Sequence, residues 1–240
     1  MNKPAGLPSH PGPRGGASVE SFFPSLSRRP AGPWLVHRLD TDTAGCLLVA
    51  LRHAALLAAQ AEFAAGRAGK VYWAVVRGRP EADSGVLDTP LIRRSGPGGW
   101  RMVIDAAGGR ALTDWTVLGE APGLAWLELR PRTGRTHQIR VQCAEALGCP
   151  IAGDAVYGGG GPGPLHLLAR ALSLALTPPV AATAPPPPHM RAALGGCGWR
   201  PADGGGQDGG QVLHLPRLHG QNSREPDAAK PDAFRRERGR

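Results

Sequence analysis

An α+β fold, with a mixed but mainly antiparallel sheet and flanking helices and loops around a central cleft, follows from three features of this 240-residue sequence. First, β-branched and aromatic runs at 70–78 (KVYWAVVRG), 85–92, 110–118 and 124–130 (LAWLELR) follow one another at hairpin-like spacing. Second, few long helical stretches separate them, as the crossovers of a parallel sheet would require. Third, residues 52–66 and 136–147 carry apolar groups at helical spacing, which supplies helices to flank the sheet.

Taken in order, residues 1–33 are rich in Pro, Gly and Ser, and read as a wrapping arm with one short helix near 19–26. The stretch 37–50, HRLDTDTAGCLLVA, sets Asp40 between a basic pair and a small-residue turn, with 46–50 as a short apolar strand. Residues 52–66, RHAALLAAQAEFAAG, form an Ala-rich helix stopped by Gly66. The strand runs follow, interrupted by a Gly-rich turn at 96–99. In 136–147, Ile139, Cys143 and Ala146 fall at i, i+4 and i+7, and Gly148 and Pro150 end the helix. Residues 165–176 return as a strand, and the polyproline run 185–188 leads into a short helical piece at 189–194. The sequence thus predicts one folded domain over 1–195. The remainder, 196–240, is Gly-rich and then charged, the composition of a disordered basic tail.

Lys and Arg number 28 against 19 Asp and Glu, a formal charge of +9 and a pI near 10.4, which points to a polyanionic partner and to nucleic acid rather than membrane. No apolar run approaches the roughly 18 residues of a spanning helix, and the N-terminus lacks the apolar core of a signal peptide. A cytoplasmic location is therefore expected. The four cysteines form no CxxC pair and lack zinc-knuckle spacing, so free buried thiols and no metal are expected.

A second informative block, 132–158, brings Arg135, His137, Arg140 and Asp154 together around a helix start. Free N–H groups and the helix dipole favour anions there, and the cationic side chains would complete a phosphate or carboxylate site.

HRLDTDTAGCLL, KVYWAVVRG, GRTHQIRV and GCPIAGDAVYG, in this order, resemble the motifs of the RluA-type RNA pseudouridine synthases. Weaker similarity extends to NKPAGLPSHPG at the start and to LHLLARALSL and APPPPHM, so the resemblance covers nearly everything before Gly195. It implies the pseudouridine synthase catalytic fold and isomerisation of a uridine within RNA, with no cofactor or metal. Asp40 matches the catalytic aspartate of HRLD, acting as nucleophile or as base toward the sugar. A guanidinium beside it would keep it ionised and oriented, and Arg135, the first arginine of GRTHQIR, matches that role. Tyr72 matches a tyrosine that could stack on the uracil or serve proton transfer. Arg38 could fill the space left by a flipped nucleotide or grip a flanking phosphate. His37, His137 and Asp154 match motif positions and read as structural.

The chain departs from the family where Thr43-Ala44-Gly45-Cys46 replaces a commoner TSGL turn, and where Gln142, Cys143 and Cys149 replace commoner types, which bears on the fine details of the RNA face. With only Met1 and Asn2 ahead of KPAG, no S4-type domain is expected before the catalytic motifs. That leaves a compact rRNA or tRNA stem-loop as the expected partner, recognised by a monomer without an obligatory protein partner. Two other readings remain open on sequence alone. One is a noncatalytic RNA-binding module of the same fold. The other is a glycosidic hydrolase pairing Asp40 with Asp154 as acid and base.

Overall fold

The β-branched runs pair as their spacing predicts, into one eight-stranded sheet. A computed structural model of the chain describes residues 1–12, 15–27, 31–97, 99–158 and 163–201. The N-terminal arm holds β1 (Asn2–Lys3), a 3-10 turn (Val19–Phe22) and α1 (Phe23–Leu26), then β2 (Trp34–Leu35), β3 (Ala44–Cys46) and β4 (Val49–Ala50). Next come α2 (His53–Ala64), β5 (Gly69–Arg77), β6 (Ser84–Asp88), β7 (Leu91–Gly96), β8 (Gly99–Ile104), β9 (Leu112–Ala121) and β10 (Leu124–Pro131). One α-helical turn, α3 (Gln138–Val141), runs directly into a π-helical turn (Gln142–Ala146), and β11 (Leu167–Leu174), β12 (Val180–Thr183) and α4 (Pro188–Gly196) complete the fold.

The main sheet runs β1-β3-β11-β5-β10-β9-β6, with β12 on β11. Only the β3–β11 pair is parallel. On one face, Val75, Trp126 and Leu168 pack with Leu56 and Ala59 of α2 and Met190 and Leu194 of α4. On the other, Ala74, Val76, Leu127 and Leu129 pack with Ile139 and Cys143 of the helical segment. Because strand side chains alternate, Tyr72 is in phase with Ala74 and Val76 and is carried to the α3 side. Gly45 lets β3 lie against β11: its φ is +114°, and a Cβ there would stand 2.3 Å from the Ala169 carbonyl oxygen.

Several expectations are corrected. The single strand expected at 46–50 is two, β3 and β4, which join different sheets. The run 85–92 is broken by Pro90 into β6 and β7, because proline cannot donate to the ladder. The turn at 96–99 joins β7 to β8, a strand the sequence did not signal. The helix expected over 136–147 is the short α–π pair. Beyond residue 195, Cys197 is buried and Trp199 packs on the core, while the expected tail from residue 202 lies outside the described residues. The four cysteines are free and buried. Among the described residues, no helix is long and apolar enough to cross a membrane.

Candidate active site

Asp40 lies in the loop between β2 and β3, and the N-terminal arm grips that loop on both sides of it. Ser9 Oγ donates to the Leu39 carbonyl at 2.8 Å and accepts the Leu39 N–H at 3.1 Å. Beyond the aspartate, the Thr41 carbonyl accepts from Lys3 Nζ and from the Gly6 N–H, both at 2.9 Å. Lys3 is 1% exposed and also donates to the Pro4 and Leu7 carbonyls. Burial lowers its pKa to about 8, against the opposing pull of Asp42 and Asp40. The Thr43 N–H closes the turn on the Asp40 carbonyl at 3.1 Å. The loop backbone is thus fixed while the Asp40 side chain stays 28% exposed.

The groups facing Asp40 are Arg140 of α3 and His137 at its N-cap. Arg140 Nη1 is 3.8 Å and His137 Nε2 is 3.9 Å from Asp40 Oδ2. Arg140 is itself aimed by Asp154, through Nε–Oδ2 at 2.8 Å and Nη2–Oδ1 at 2.7 Å. This two-pronged geometry leaves one guanidinium nitrogen free to face Asp40. Asp154 has no exposed side-chain surface and also accepts the Val156 and Tyr157 N–H groups. Burial opposes its ionisation, but the Arg140 bonds and charge and the two N–H donors outweigh it and hold its pKa below the ordinary carboxylate value. A carboxylate so committed cannot face a cleft, which removes the hydrolase reading in which Asp154 is the second acid–base group.

His137 caps α3 in the left-handed region, φ 52°, an unusual conformation for a non-glycine residue and one found often at functional sites. Its Nδ1 is 2.9 Å from Tyr157 Oη and its Nε2 3.3 Å from Arg140 Nη1. Burial lowers its pKa, against the pull of Asp40. The helix is locked to β9 by Gln138 and Gln142. Gln138 donates to the Leu112 carbonyl and Thr113 Oγ1, and Gln142 accepts from Thr113 Oγ1 at 2.7 Å and donates to the Ala111 carbonyl at 3.0 Å.

Tyr72 packs between the α3-side core and a smaller apolar group of Leu39, Leu47 and Ala169. Burial, reinforced by the Asp40 charge, holds its phenol well above the ordinary value, so it stays protonated. Arg38 is exposed and makes no ion pair among the described residues. Arg135 corrects an expectation: it does not pair with Asp40, and its Nε donates instead to the Arg110 carbonyl at 3.3 Å. Arg140, three residues after His137 and so on the same helix face, takes the position facing the aspartate. The i, i+3 spacing in THQIR was the signal for it. His37 proves structural: Nε2 accepts the Leu48 N–H at 3.1 Å and the ring stacks on Phe63.

The RNA pseudouridylate synthase family aligns with residues 1–145, a stretch that includes Asp40 and Arg140. The chain belongs to that family. An uncharacterized RNA pseudouridine synthase of Zymomonas mobilis is 44% identical over 162 residues, 66% of this chain and 73% of that protein. A mitochondrial pseudouridylate synthase of Xenopus tropicalis is 36% identical over 183 residues, 65% of this chain and 56% of its own length. An uncharacterized RNA pseudouridine synthase of Synechocystis is 35% identical over 214 residues, 81% of this chain and 64% of its own. The chain therefore spans less than two thirds of the latter two relatives. Among solved structures, human RNA pseudouridylate synthase domain containing 4 superposes with a TM-score of 0.69 at 27% identity, covering 82% of this chain and 88% of that one. These pseudouridine synthases are isomerases of the RluA type, and their mainly antiparallel α+β fold is the fold described above.

Proposed function

We propose that this chain converts uridine to pseudouridine within rRNA or tRNA, with Asp40 as the catalytic group. The observation that carries the reading is the arrangement at Asp40: a part-exposed carboxylate on a loop fixed from both sides, facing an arginine that a buried aspartate holds in place. Such a carboxylate is pre-oriented beside a cation without losing access to substrate. Asp40 attacks the ribose or removes a proton from it, and the N-glycosidic bond breaks. The uracil turns and C5 bonds to C1′ as the bond from Asp40 to the sugar breaks, or as the ribose proton is returned, and the proton lost from C5 is balanced by one gained at N1.

The family membership supports an RNA substrate, and the basic composition agrees with it. Tyr72 offers the uracil an aromatic face, and its neutral phenol favours stacking over action as a base. Arg38 fills the gap left by the flipped nucleotide or holds a phosphate, and Arg135 contacts the RNA backbone from the rim rather than Asp40. The protein works as a monomer on a stem-loop in the cytoplasm, without metal or cofactor. Mapping pseudouridines in the rRNA and tRNA of a deletion strain tests the proposal. Loss of one or more sites, restored by the wild-type gene, is the expected result. An unchanged map alongside retained binding of these RNAs would favour the noncatalytic module.

A further inference from the structure

Trp100 is 43% exposed, yet it lies beside the buried Arg140–Asp154 pair and its neighbour His137. Antiparallel pairing places Leu91 opposite Ile104, Arg93 opposite Met102, and Ser95 opposite Trp100, so these six side chains share one face of the β7–β8 hairpin. At the base of that face Leu91, Met102 and Ile104 pack on Val141 and Tyr157. Tyr157 Oη accepts the Met102 N–H at 3.0 Å, which ties the hairpin to the cluster around Asp154. Toward the tip, the Trp100 ring stacks on His137 with centroids 5.2 Å apart, and the Arg93 guanidinium lies 4.6 Å from the Trp100 centroid. The hairpin therefore carries an arginine–indole–imidazole column whose last member is 3.9 Å from Asp40.

Nothing in the fold requires an indole there: the apolar anchoring is complete with Leu91, Met102 and Ile104. Arg93, on the same face as Trp100, makes no ion pair among the described residues. An accessible aromatic ring beside an unpaired cation is the pattern that takes a nucleobase on its face and a phosphate at its edge. An exposed guanidinium stacked on the ring is a contact that a base can replace or extend. The uracil itself has Tyr72 within the cleft, whereas Trp100 stands one ring further out, beyond His137.

We propose that Trp100 is a stacking platform for an unpaired base adjoining the target uridine, so that the β7–β8 hairpin selects loop nucleotides rather than continuous duplex. The inference rests on the reading of the site as one that acts on RNA. The test uses the full chain and two labelled probes, a uridine hexaribonucleotide and its abasic counterpart with the same phosphates. Fluorescence anisotropy should show the wild type preferring the uridine hexamer. Trp100→Ala should weaken that hexamer about tenfold and leave the abasic one within about twofold, because stacking of a base is lost and phosphate contact is kept. Trp100→Phe should recover most of the loss. A wild type without preference for the bases overturns the proposal, as does a Trp100→Ala variant that weakens both probes equally or neither. Tritium release from cellular RNA by the wild type is measured separately. A Trp100-dependent base preference without release keeps the platform and removes the isomerase, whereas release with no such preference does the reverse.

Discussion

Replacing Arg140 tests how the two carboxylates are held, because its 5%-exposed side chain joins Asp154 through two bonds and faces Asp40 with its remaining nitrogen. Arg140→Met leaves Asp154 buried without its cation and should cost about 3–5 kcal/mol of stability in denaturant titrations. Arg140→Lys keeps the charge but not the fork. It should fold and lose about 10²-fold in turnover, the scale of a misplaced catalytic group. His37 carries a separate pH signature, since burial lowers its pKa from 6.5 to about 4. Between those values the unfolded chain is protonated at this site and the folded one is not. Stability should therefore fall as pH drops from about 6.5 toward 4, by up to about 3 kcal/mol from this group. His37→Gln, which retains an acceptor for the Leu48 N–H, should flatten that dependence in thermal melts across the same range. At this scale Asp40 and Tyr72 were legible because each lies in a motif. The identity of the arginine facing Asp40 depended on helix phase and on Asp154, which only the folded chain brings into contact.

Among the elements, the α3 segment matters most, because Arg140 and its cap His137 both face Asp40. Its docking depends on Gln138 and Gln142 rather than on apolar area alone. Gln142→Leu leaves the Thr113 hydroxyl proton without its acceptor in a fully buried setting, while Thr113 Oγ1 keeps the Gln138 amide and the Ala111 carbonyl keeps the Thr89 N–H. The variant should lose about 1–3 kcal/mol for the orphaned donor, read as a lower melting temperature, and its turnover should fall as Arg140 shifts. The burial expected for Cys143 and Cys149 is found, whereas the full burial of Gln142 had no signal in the sequence. A polar residue on a short helix reads as exposed until its partners appear, and Thr89, Thr113 and Ala111 come from segments dozens of residues away. Likewise β8 was missed because GGWRMVI follows a Gly-Pro-Gly turn with little alternation. Its strand character comes from pairing with β7 and from Met102 packing below. By contrast α2, β5, β10 and β11 were legible from composition and length, although α2 buries Glu62 and exposes Leu57.

Over the whole molecule, the motifs converge because β3, β11 and β5 are neighbours and α3 lies on the Tyr72 side of them. Motif order in the sequence implied this convergence but supplied no distances, and the clamp of Lys3 and Ser9 on the Asp40 loop had no local signal beyond the KPAG similarity. The net charge of +9 was legible at once and gives a general attraction to RNA, but not the choice of uridine. The central claim is that the carboxylate of Asp40 performs the chemistry. It is tested most directly by tritium release from cellular RNA labelled at uridine C5, comparing the wild type with Asp40→Asn. The account predicts release by the wild type and a loss of at least about 10³-fold in the variant, with RNA binding retained. An Asp40→Asn protein that releases tritium as fast as the wild type would contradict it.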